Sequence, residues 1–161
     1  MHPGVSPIVE VDDLHVHFGE ARAVDGASLR VMPGEVLALV GESGSGKTTL
    51  IRAIQGLQKM TSGTIRVEGK SQAIFHDPAV QMVFQDPYGS FNPRHRVDRL
   101  VSEPFHLLGT SAPQGREREE RVERALTEVG LQPSDAHKYI HEFSGGQRQR
   151  IAIARALIIE P

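Results

Sequence analysis

The sequence predicts an α/β fold. It has a β region at the N-terminus, a core around a glycine-rich loop, and a helical part after Gln85. Three observations predict this. Short apolar or alternating stretches, each closed by turn residues, recur between Ile8 and Phe84. A continuous apolar run, Val36 to Val40, leads straight into a glycine-rich turn and then a helical pattern. Beyond Gln85 the alternation stops and helical spacing takes over.

The elements follow in order. Ile8 to Phe18 (IVEVDDLHVHF) alternates imperfectly and reads as one or two strands. Ser28 to Met32 reads as a short strand closed by the Pro33-Gly34 turn. Val36 to Val40 reads as a strand buried on both faces. Lys47 to Gln55 reads as a helix with Leu50, Ile51 and Ile54 on its buried side. Thr64 to Val67 and Val80 to Phe84 read as further strands, with Ser62-Gly63 and Glu68-Gly69 as turns. Asp86 to Arg94 is turn-rich, holding two Pro and one Gly. Arg116 to Val129 is the clearest helix, with Val122, Leu126 and Val129 on one side and i,i+4 charge pairs on a solvated face. Gly145 to Ile159 reads as a last helix. The organisation expected is a β region and loop core over 1–85, a helical subdomain over 86–143 and a final helix over 144–161.

Composition limits the functional classes. The 161 residues are 39% apolar and 24% charged, ordinary for a globular protein. The formal net charge of −2 gives no bulk attraction to nucleic acid, and none is expected as a partner. The absence of Cys removes disulfides and thiolate metal sites. The N-terminal MHPGVSPIVEVDD lacks a basic region followed by an apolar run, so no signal peptide is expected. No window approaches the ~18 consecutive apolar residues of a membrane span.

Chemistry concentrates in Gly41-Glu42-Ser43-Gly44-Ser45-Gly46-Lys47-Thr48, which fits GxxxxGK[ST] between a strand and a helix. Glycine supplies positive φ and lets backbone N–H groups turn inward around phosphate oxygens. The helix start, through Thr49, adds free donors and partial positive charge. Lys47 is expected to place its ammonium on the β- and γ-phosphates of ATP, and Thr48 to offer its hydroxyl to Mg²⁺. The eight His are expected to hold no metal. His15 and His17 are read on opposite faces of a strand, and His137 and His141 as a pair four apart.

A second motif narrows the class. Phe143-Ser144-Gly145-Gly146-Gln147, followed by Arg148-Gln149-Arg150, resembles the LSGGQ signature of ABC-type ATPases, about 100 residues after the loop as in that family. Val83-Phe84-Gln85-Asp86-Pro87 is similar to the family's Q-loop, and Phe18-Gly19 lies where the family carries its adenine-stacking aromatic. GESGSGKTT, VFQDPYGSFNPR and HEFSGGQRQRIAIARAL are similar to the ATP-binding subunits of dipeptide, oligopeptide and nickel importers. The stretch between Gly69 and Val80 is shorter than in many relatives.

The resemblance implies an α/β P-loop NTPase fold of the ABC nucleotide-binding type, with an N-terminal antiparallel β region, parallel strands in the loop core and a helical subdomain, paired head to tail with a second ATP-binding subunit. Lys47 and Thr48 would then act in cis, and Ser144, Gly145, Gly146 and Gln147 on the γ-phosphate in trans. Ser144 and Gln147 also fit a helix capping box. Gln85 would reach Mg²⁺ and the attacking water, and Phe18 would stack on adenine. The family's later Asp, Glu and switch His are not in the 161 residues, so a shortened copy or one part of a split protein is expected, binding ATP with little or no turnover. The expected partners are membrane permease subunits and, indirectly, a solute-binding protein, with the chain peripheral on the cytoplasmic side of the membrane. A nucleotide-binding or interaction module without turnover, and a non-transport ABC ATPase, stand as alternatives.

Overall fold

The computed structural model describes residues 6–71 and 78–161. The shortened stretch before Val80 and the first residues of the N-terminus therefore lie partly outside the described residues. The chain divides into two compact units, Met1–Asp77 and Pro78–Pro161. The division falls eight residues before the expected one after Gln85.

The first unit is a sheet carrying one helix. Its strands are β1 (Val9–Phe18), β2 (Ala21–Val31), β3 (Ser62–Val67) and β4 (Lys70–Ser71), in the order β2-β1-β3-β4 and antiparallel throughout. The imperfect alternation of β1 has a local cause. Val11, Leu14 and Val16 are all fully buried, a spacing of three and then two, and the pairing with β2 slips between Val11 and Leu14. Asp13, at φ 46°, takes up the extra residue of this bulge and restores the inward face. A second slip follows opposite Gly26, at φ 78°. The bulges leave Leu14 and Val16 facing inward, with Val24, Ile65 and two residues of helix α1 (Lys47–Ile54), Leu50 and Ala53. β2 begins seven residues earlier than expected, because Gly19 (φ 60°) and Glu20 close a tight hairpin with β1.

Two expected strands do not form. Residues 36–40 and 80–84 are in no strand. Val36 is 95% exposed and Val40 93%, so the run is not a strand buried on both faces. An apolar run becomes a strand only where a neighbouring strand bonds at least one of its edges, and no described element of the chain pairs with either run. The expected parallel pairing is accordingly absent among the described residues. In α1 Leu50 and Ala53 are buried and Ile54 packs partly buried beside them, whereas Ile51 is exposed; the inward face runs through 50, 53 and 54, which leaves Ile51 outside it.

The second unit is helical. It holds α2 (Val97–Val101), α3 (Gly115–Glu128) and α4 (Gly145–Leu157), joined by 3₁₀ turns at Tyr88–Ser90, Glu103–Ser111, Pro133–His137 and Ile140–Glu142. Its core gathers Phe91, Leu100, Phe105, Leu126, Ile140 and Ile151. α3 keeps its charges in water as expected, with Arg116–Glu120 at 2.8 Å and Arg121–Glu117 at 3.2 Å, both i,i+4. Such exposed pairs add only ~0.3–0.5 kcal/mol each. The burial of Val122, Ala125 and Leu126 is what fixes the helix in place.

Candidate functional site

In the first unit the site is the loop 41–48 and the start of α1. Gly44 (φ 83°) and Gly46 (φ 86°) are left-handed, a conformation that a side chain disfavours. Gly46 is also the N-cap of α1, so no side chain takes up the helix's first amides. The N–H groups at Lys47, Thr48 and Thr49 therefore stay aimed out of the helix end. A Cβ on Gly46 would overlap the carbonyl of Ala23 in β2, because the loop is pressed against the sheet there.

Lys47 closes the loop on itself. Its Nζ donates to the carbonyl oxygens of Gly41 at 2.8 Å and Glu42 at 2.6 Å, and to Ser45 Oγ at 3.2 Å. These oxygens stand in for the anionic oxygens that such an ammonium attracts. Glu42, Ser43, Gly44 and the Thr48 hydroxyl lie on the exposed side. A cavity of ≈ 350 Å³ lies beside the loop, lined in part by Val24, Leu39, Gly41, Lys47 and Leu50. Phe18 ends β1 about half exposed (52%), an apolar side chain at the sheet's end.

The second unit carries Gln85 and the start of α4. Gln85 is exposed, in a bend and not at a strand end. Ser144 is the N-cap of α4: its Oγ accepts from the Gln147 N–H at 3.3 Å, while Gln147 Oε1 accepts from the Ser144 N–H at 2.9 Å. This is the capping box read as one of two roles. The box uses the Ser144 oxygen as an acceptor and leaves its O–H proton to be donated elsewhere. Gln147 is thereby turned back on its own helix. Gly145 and Gly146 have no positive φ, and a Cβ on either would meet nothing within 4 Å. Nothing among the described residues requires glycine at these two positions.

Three arginines of α4 tie the unit together through contacts that the sequence pattern does not reveal. Arg148 Nε donates to the Ile140 carbonyl at 3.1 Å, and Arg150 Nη1 to the Gly130 carbonyl at 2.9 Å. Arg155 grips the turn after Gln85, donating to Ser90 O at 3.1 Å and Ser90 Oγ at 2.8 Å, with its guanidinium 4.7 Å from the Phe91 ring centre. Burial pulls the Arg155 pKa below its ordinary value, and Glu103 at 3.7 Å opposes this. Their partners lie up to 65 residues away, beyond any local pattern. Buried Asp135 is held below the usual carboxylate range, first by the Lys138 ammonium at 2.7 Å and then by the Gln132 N–H, against the opposing effect of burial.

The histidines need one correction. His15 and His17 do not lie on opposite faces: residues two apart on a strand share a face, and Val16 between them points into the core. With Asp25 of β2 they place ligand atoms within 4.8 Å of one another. His137 and His141 sit in separate 3₁₀ turns, His141 stacked on Tyr139 with ring centres 5.7 Å apart.

The ABC transporter family model matches residues 24–161. The oligopeptide transport ATP-binding protein OppF of Streptococcus pyogenes serotype M1 is 46% identical over 169 residues, covering 96% of this chain and 54% of that protein. OppF of Escherichia coli (strain K12) is 43% identical, covering 98% and 53%. The di/tripeptide transport ATP-binding protein DppF of Pseudomonas aeruginosa (strain UCBPP-PA14) is 44% identical, covering 88% and 46%. The chain thus spans about half the length of the curated relatives it matches. Among solved structures, cbiO1 from Clostridium perfringens, part of the ABC transporter complex cbiONQ, matches with a TM-score of 0.81 at 30% identity, covering 96% of this chain and 62% of that one. The ATP-binding cassette MJ0796, bound to ADP and Pi, matches with a TM-score of 0.79 at 28% identity, covering 95% and 70%.

Proposed function

The chain belongs to the ABC transporter family, and from that premise we propose that it is the ATP-binding part of an importer for peptides or a related small solute, a member of an ATPase class. The observation that carries the nucleotide reading is the loop itself: two left-handed glycines, an uncapped helix start and an ammonium already ringed by oxygens. The residues fit a triphosphate. Lys47 exchanges its bonds to the Gly41 and Glu42 carbonyls for phosphate oxygens, and the α1 amides add donors that cost no reorganisation. Thr48 supplies a neutral oxygen of the kind Mg²⁺ takes beside phosphate. When bound, Mg²⁺ would offset phosphate charge. Phe18 offers its exposed ring to the base.

The start of α4 points to a second subunit. Ser144 keeps a proton to donate, and Gly145 and Gly146 expose bare backbone at a helix N-terminus. That surface suits a γ-phosphate arriving from another copy, in head-to-tail pairing. The solute class follows from the similar proteins OppF and DppF, oligopeptide and di/tripeptide transport ATP-binding proteins. The partners in this reading are membrane permease subunits, with a solute-binding protein acting through them. No helix among the described residues is long and apolar enough to cross a membrane. We place the chain peripherally on the cytoplasmic side, where ATP is available.

Uptake tests the reading. Disrupting the gene in its own host should abolish accumulation of a labelled oligopeptide, restored by the wild-type gene and not by Lys47→Ala. Unchanged peptide uptake in the disrupted strain would overturn the importer assignment.

A further inference from the structure

We propose that His15, His17 and Asp25 form a binding site for one zinc-class divalent ion on the β1–β2 hairpin, with ligands distinct from the nucleotide loop although Asp25 also borders the cavity beside that loop. The bulges build it. Slips in pairing at Val11/Leu14 and Leu14/His15 set His15 directly opposite Asp25, while Val16 turns inward and leaves both imidazoles on the other face. Asp25 Oδ1 is the focus: it lies 2.9 Å from His15 Nδ1 and 3.8 Å from His17 Nε2.

The donor set and its distances suit a metal. Two imidazole nitrogens and one carboxylate oxygen are a common zinc set that leaves a fourth position for water. Tetrahedral bonds of about 2.0–2.1 Å separate ligand atoms by about 3.4 Å. The gap at His17 is slightly wider than this and the one at His15 slightly narrower, so adjustments of about half an ångström bring both to the zinc geometry.

The groups behind the ligands are also in place. His15 Nε2 lies 3.1 Å from Asp13 Oδ1, which orients the ring as a carboxylate does behind a metal-bound histidine. Arg22 Nη1 donates to Asp25 Oδ2 at 3.2 Å, holding the other oxygen towards the histidines. As a plain hydrogen-bond network the cluster is incomplete. His17 Nε2 is buried and has no hydrogen-bond partner among the described residues. A metal ion would engage that atom, and an orphaned buried nitrogen otherwise destabilises the fold.

The test is titration of the 161-residue chain with Zn²⁺ against a chromophoric chelator of about micromolar affinity. One equivalent should bind. His17→Gln and Asp25→Asn should each weaken binding by at least about 100-fold, and Asp13→Asn by about 10-fold. His137→Gln and Lys47→Ala should leave it unchanged, the latter separating this site from the nucleotide reading. Circular dichroism checks that each variant is folded. Wild-type chain that fails to compete with the chelator overturns the proposal. So does zinc binding that His17→Gln and Asp25→Asn leave intact.

Discussion

Replacing Gly46 by alanine should cripple nucleotide binding while leaving the helical unit untouched. Gly46 sits at φ 86°, where an L-residue costs about 1–2 kcal/mol. The added Cβ would lie inside the Ala23 carbonyl, with Ala23 C only 3.2 Å away and its oxygen closer still, so loop and sheet must part. Overpacking of this sort costs about 1–3 kcal/mol. The variant loop relaxes out of the left-handed region, and binding has to restore it against that strain. A combined cost of about 3 kcal/mol corresponds to a roughly 150-fold weaker Kd. Isothermal calorimetry with Mg-ATP reads this directly, and circular dichroism reports whether α1 and the sheet survive. Wild-type affinity in a folded Gly46→Ala chain would refute the claim that this backbone geometry builds the phosphate site.

Two further outcomes test the helical unit. Arg155→Met keeps the apolar stem but loses both bonds to Ser90 and the contact with Phe91. It should cost about 2–3 kcal/mol, seen as a lower urea midpoint; an unchanged midpoint would show that Arg155 does not anchor the turn. Asp135 has a lowered pKa, so its stabilisation is complete above the unfolded carboxylate value of about 3.9 and fades as pH falls through the lower folded value. The thermal penalty of Asp135→Asn should therefore be largest near neutrality and shrink below about pH 4. A penalty independent of pH would contradict the Lys138 pairing as its cause.

The site was more legible than the sheet around it. Gly41 to Thr48 announced itself because each residue type has its own local duty: glycines for φ, a lysine for charge, a helix start for amides. Ser144 and Gln147 were legible as a capping box for the same reason, since both partners sit within one helical turn. Val36 to Val40 and Val80 to Phe84 misled because apolarity only permits a strand, and pairing is what makes one. The grips of Arg148, Arg150 and Arg155 on distant carbonyls left no trace in spacing. The His15–His17–Asp25 group was hidden by misassigning the faces of β1, and by a bulge at Asp13 that only the pairing with β2 reveals.

The most direct measurement is calorimetry of Mg-ATP on the purified 161-residue chain, with Lys47→Ala alongside. One site per chain is expected, with affinity at least tenfold weaker in the variant, because Lys47 is the cation at the mouth of the loop. A folded chain that takes up no nucleotide, or one that binds it equally well without Lys47, would contradict it.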